Sequence, residues 1–244
     1  GGWLVGIGTL AAVAISLEGL PFVVLAYACL VVAMFLRVDG AAVMLRRACA
    51  IMFWLSVPLA YGLLGPVGLL STQCDAFSAP YIVLLTGFSA ILWCVARFVP
   101  NAGWAAQAAA LAVPGVALLV VFAVLFPQCL AGPYWMIDPL SKSHWLDRVA
   151  QEHSALYFIQ QGQASIILLA VILASVLTLA SSKTASRRGD GWVGLLIVLI
   201  IAWAALMLTL ILIRYIRFAF AFAPLFVPVA AQFLLDGSTG RTAR

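Results

Sequence analysis

Polar residues interrupt this chain so rarely that the lengths of its apolar runs, more than any periodicity, carry the first structural information. Residues 1 to 36 are almost continuously apolar. One helix of that length would be about 54 Å long at 1.5 Å per residue, against a hydrocarbon core of about 30 Å, so the stretch must fold back. The hinge falls at Glu18-Gly19-Leu20-Pro21. A carboxylate at mid-bilayer costs about 2.5 kcal/mol or more, and proline interrupts the helical ladder. That predicts spans at 1 to 17 and 20 to 36. Charges and turn residues bound further runs at 48 to 66, 80 to 99, 103 to 126, 164 to 181, 191 to 213 and 218 to 235. The expected fold class is an all-α integral membrane protein with about eight transmembrane helices and one long outer loop that contains a short amphipathic helix. Residues 1–236 make the polytopic membrane domain, 127–163 the outer loop within it, and 237–244 a polar tail.

Composition agrees and narrows the function classes. The chain of 244 residues is 66% hydrophobic and 9% charged, where soluble domains run at about half and about a quarter. A soluble enzyme, a disordered chain and a nucleic-acid-binding module are excluded by that balance. The surplus of Lys and Arg is therefore read topologically. One side of the alternation holds Arg37, Arg46, Arg47, Arg97, Lys183, Arg187, Arg188, Arg241 and Arg244, and the other holds Lys142, Arg148, Arg214 and Arg217. The richer side is cytoplasmic, which puts both ends of the chain in the cytoplasm and most acids outside. The sequence opens on GGWLVGIGTL, already inside an apolar run and without an initiator Met, and reads as a fragment of a longer protein.

Chemistry has few places to reside. The stretch 127–163 starts with Pro127, Pro133 and Pro139, which predict an extended or turn structure in its first part, not a helix. From Ser143, a candidate N-cap, Trp145, Leu146, Val149 and Ala150 alternate at helical spacing with His144, Asp147, Arg148, Gln151 and Glu152. An interfacial helix over 143 to 153 follows, either a brace in the headgroup layer or a lid over a site opening there. Arg214 and Arg217, three apart, present forked donors suited to a phosphate if they share a helix face, or simply snorkel to headgroups. Lys142 and Arg148 extend this basic set, and Glu18, Tyr134, Asp138 and His144 are the remaining outer candidates. Glu18 is either the solvated hinge or a group that orients a ligand. His144 and His153 lack a metal-ligand spacing, and there is no CxxC, H-E-x-x-H, G-x-S-x-G or glycine-rich phosphate loop. Of the five cysteines only Cys74 and Cys129 fall in outer loops, near the ends of consecutive antiparallel spans. A disulfide between them is expected, the alternative being two unpaired thiols packed as small apolar residues.

The segments Ile15-Ser16-Leu17-Glu18-Gly19-Leu20-Pro21-Phe22, Gln73-Cys74-Asp75-Ala76-Phe77-Ser78, Phe126 through Tyr134, Asp138-Pro139 and Trp145-Leu146 resemble a group of proteobacterial polytopic membrane proteins. That group is similar to the GT-C superfamily of glycosyltransferases that use polyprenyl-phosphate sugars. The resemblance implies inverting glycosyl transfer at the outer face of the bacterial inner membrane. Its donor would be a lipid-phosphate-linked sugar, its catalytic acid would lie upstream of Gly1, and no other cofactor is implied. A divalent metal requirement stays open. The arginine at the end of the penultimate helix matches Arg214, but Leu212 stands where the family has glutamine. The implied partners are membrane lipid and a polyprenyl-phosphate sugar, with no nucleic acid. Two rivals remain: a non-catalytic membrane scaffold subunit, and a transporter, which would need broken or polar helices at the midplane.

Overall fold

The computed structural model describes residues 1–132, 138–144, 149, 153–186 and 192–239. Among these residues every regular element is helical, and seven helices are long and apolar enough to cross a membrane. The chain divides into two compact units, Gly1–Asp138 and Pro139–Arg244.

The first unit contains α1 (Gly2–Ile15), α2 (Leu20–Phe35), α3 (Ala41–Leu69), α4 (Ala79–Phe98) and α5 (Trp104–Leu125). With 14 residues, α1 rises only about 21 Å and falls short of a full bilayer crossing by itself. The chain turns at Ser16, which is extended, and its Oγ accepts the Glu18 N–H at 3.3 Å. A 3₁₀ turn over Leu17–Gly19 leads into α2, with Pro21 in the first turn, where its missing N–H leaves nothing unsatisfied. The backbones of α1 and α3 approach closely at Gly2 and Gly6. A Cβ on Gly2 would lie 2.6 Å from the Met44 carbonyl oxygen, and one on Gly6 would lie 2.6 Å from that of Ala48. Rising numbers on one helix meet rising numbers on the other, so α1 and α3 run parallel. Small residues four apart that admit a neighbouring backbone are a membrane-helix packing device. Tyr27 of α2 ties the three helices together: its hydroxyl donates to Met52 Sδ at 2.7 Å and lies 3.4 Å from Thr9 Oγ1.

The sequence-derived span 48 to 66 starts too late. The helix begins at Ala41 and carries Arg46 and Arg47 within it, because long guanidinium side chains reach polar surroundings from inside a helix end. Near its other end α3 breaks at Gly65, whose φ of 68° is left-handed and precedes Pro66.

A polar knot around the buried Ser78 hydroxyl closes the loop between α3 and α4. Ser78 Oγ donates to the Gln73 carbonyl at 2.6 Å and accepts its N–H at 3.2 Å, while Tyr81 donates to the Cys74 carbonyl. Cys74 is disulfide-bonded to Cys129, with a Cα–Cα distance of 5.2 Å, within the ordinary range for such bonds. Cys129 sits in a 3₁₀ turn over Pro127–Ala131. At the opposite end of the α4–α5 hairpin, buried Gln107 donates from Nε2 to the carbonyls of Val99 and Pro100, at 3.1 and 2.7 Å.

The second unit contains α6 (Pro139–His144), α7 (Ala155–Gln160), α8 (Ala164–Ser186), α9 (Trp192–Ile211) and α10 (Ile216–Thr239). The last three pack on one another, and Trp203 Nε1 of α9 donates to Ser181 Oγ of α8 at 3.2 Å. Two loop expectations need correction. Pro127 opens a 3₁₀ turn, in keeping with the expected turn structure, but Pro139 opens a helix, since fixed φ and a missing N–H suit the first helical position. Ser143 consequently lies inside α6, not at the N-cap of a helix that starts there. Most of the expected helix over 143 to 153 lies outside the described residues.

Candidate functional site

The basic pair near the end of the chain is organised by a break between two apolar helices. The last turn of α9 ends at Ile211, Leu212 is extended with φ −137° and ψ 117°, and a 3₁₀ turn over Ile213–Tyr215 precedes α10. Arg214 occupies that turn. Arg217 is the second residue of α10. The two arginines therefore do not share one continuous helix face, as their spacing alone had suggested. They flank the start of a 24-residue helix.

Arg214 is half-buried, with Nε enclosed, and its guanidinium lies over the Tyr215 ring at 5.5 Å from the centroid. Arg217 is exposed and lies over Phe218 at 5.7 Å. Aromatic faces steady a guanidinium without consuming its N–H donors. The N–H groups leading into α10 are engaged, Ile213 with the His153 carbonyl, Tyr215 with that of Leu212 and Ile216 with that of Ile213, so the helix start contributes the positive end of its dipole and not free donors. Two arginines near that helix start add further positive charge to it.

The break is held from a second direction. The Ile213 N–H donates to the carbonyl of His153 at 2.9 Å. Ser154 follows as the N-cap of α7, its Oγ accepting the Tyr157 N–H at 3.4 Å. The His153 ring stacks on Tyr157 with centroids 4.0 Å apart. The segment entering α7 is thus anchored beside the arginine turn. Sequence reasoning assigned no role to His153 or Tyr157. The signal was present in Ser154 standing directly before the apolar Ala155-Leu156-Tyr157, a recognisable helix start.

The other candidates fall elsewhere. Glu18 is half-buried in the α1–α2 turn of the first unit, and Asp138 at that unit's end is exposed. Lys142 and His144 belong to α6, with His144 exposed. Tyr134 and Arg148 lie outside the described residues. Among the described residues, no three His, Cys, Asp or Glu side chains are grouped to hold a metal ion. No family model, no curated protein and no solved structure matches the chain.

Proposed function

We propose that this chain is the membrane part of a GT-C-like glycosyltransferase, in which Arg214 and Arg217 hold the phosphate of a lipid-linked sugar at the outer face of the bacterial inner membrane. The observation that carries the reading is the α9–α10 break. It puts two arginines, three residues apart, at the N-terminal end of an apolar helix. A membrane-embedded phosphate with a long hydrocarbon tail has the matching chemistry. In this arrangement α1 counts as the eighth crossing element, completed by the turn at Ser16, and both ends of the chain are cytoplasmic. The Cys74–Cys129 bond supports that orientation, because disulfides persist on the oxidising side of the membrane. Lys142, Arg148 and His144, which belong to the same unit as the two arginines, are the outer-loop residues this reading adds to them.

Binding of undecaprenyl phosphate to the full chain in detergent micelles tests this. Replacing both arginines, Arg214→Gln with Arg217→Gln, should weaken binding about tenfold, about 1.4 kcal/mol, whereas Arg37→Gln with Arg47→Gln, both exposed in the first unit, leaves it within twofold. Equal losses in the two double variants would reduce Arg214 and Arg217 to headgroup-snorkelling residues.

A further inference from the structure

At the end of α4 remote from Cys74, the first unit holds a polar cleft of about 540 Å³ between the start of α3 and the α4–α5 turn. Arg46 enters its lining from α3 and Arg97 from α4, with Asn101 from the turn, and no Asp or Glu lines it. Arg46 is half-buried and Arg97 exposed. Phe98 and Val99 form one wall of this cleft and also line a second, almost wholly apolar groove of about 360 Å³ between α4 and α5, together with Cys94, Ala110 and Pro114. The small side chain of Ala110 and the helix-interior Pro114 leave that groove open. Nearby, Phe98 is 68% and Trp104 76% exposed. Trp104, at the start of α5, is of the residue type enriched at the membrane–water boundary, and in this reading the polar cleft lies at headgroup depth and the groove at acyl depth.

We propose that the two clefts together bind an anionic phospholipid, its headgroup phosphate between Arg46 and Arg97 and one acyl chain along the α4–α5 groove. The charge of the cleft and the apolar character of the groove beyond the shared Phe98–Val99 wall match the two halves of such a molecule. Arginine forks suit phosphate oxygens, and anionic lipids are drawn to basic clusters at this depth. This site lies in the first unit, and the phosphate site proposed above lies in the second, so each stands or falls alone.

A photoactivatable acyl chain supplies a local readout in the unaltered protein. Phosphatidylglycerol bearing a diazirine in one acyl chain, photolysed with the full chain in micelles and mapped by peptide mass spectrometry, should label the groove segments around Cys94 and Ala110 at least fivefold more than the matching phosphatidylcholine, which lacks net charge. In Arg46→Gln with Arg97→Gln, labelling by phosphatidylglycerol should fall to the phosphatidylcholine level, while Arg214→Gln with Arg217→Gln retains it. Equal labelling by phosphatidylcholine, or undiminished labelling in the Arg46 and Arg97 double variant, overturns the proposal.

Discussion

Replacing Gly6 by alanine adds one methyl group where α1 meets α3, and the structure fixes what that methyl encounters. It would sit 2.6 Å from the Ala48 carbonyl oxygen and 2.9 Å from Ile51 Cβ. Carbon–oxygen contacts settle at about 3.3 Å or more, so the helices must part by roughly 0.7 Å. The first obstacle is backbone and cannot rotate away. Overpacking of this kind costs about 1–3 kcal/mol, against a helix-propensity gain of up to about 1 kcal/mol for Ala over Gly. Gly8, two residues along the same helix, meets nothing within 4 Å, and Gly8→Ala therefore collects the propensity gain without the clash. The difference between the two variants cancels propensity and isolates the helix–helix term, expected at about 1–3 kcal/mol in favour of Gly8→Ala. Urea titration of the full chain in mixed micelles, followed by tryptophan fluorescence, measures it. Coincident midpoints, or a more stable Gly6→Ala, would refute the parallel α1–α3 contact.

Serine at Cys74 and at Cys129 together should lower resistance to unfolding by at most about 4 kcal/mol, the loop-closure term for a bridge of this span. The actual loss should be smaller, because helices held in a membrane retain less freedom to lose. Complete alkylation of both thiols in unreduced protein contradicts the bond outright. Tyr27→Phe removes the donor to Met52 Sδ while Thr9 keeps its own bond to the Val5 carbonyl. A loss of about 0.5–1.5 kcal/mol is expected in the same titration, and no change would mean that the hydroxyl does not link α2 to α3.

Which parts of this architecture could be seen in the sequence depended on contrast between neighbouring residues. The turn after α1 was visible because Glu18 and Pro21 interrupt an otherwise unbroken apolar run. The start of α3 was misplaced because Arg46 and Arg47 look like a loop when charge alone is read, although arginine stems are apolar enough to remain on a helix end. The Gly2–Gly6 contact left no mark in hydropathy, since both flanks are uniformly apolar and what matters there is the absence of a side chain. Proline misled at Pro139, where the residue opens a helix, because the same fixed φ that forbids a helix interior suits its first turn. Arg214 and Arg217 were recognisable as a pair. The extended Leu212 that separates them from α9 was not, because a leucine between isoleucines gives no local reason for a break.

The bond between Cys74 and Cys129 also imposes an order of events on biogenesis. Its two halves lie just before α4 and just beyond α5, so one cysteine leaves the ribosome well ahead of the other. Until the whole α4–α5 hairpin has been threaded and its second end has emerged on the same face as the first, Cys74 has no intramolecular partner from this pair. Oxidation of the pair is thus a timestamp for completed insertion. In a pulse-chase experiment, the shift in gel mobility on bridge formation would date the moment the hairpin is seated, with no reporter added to the chain.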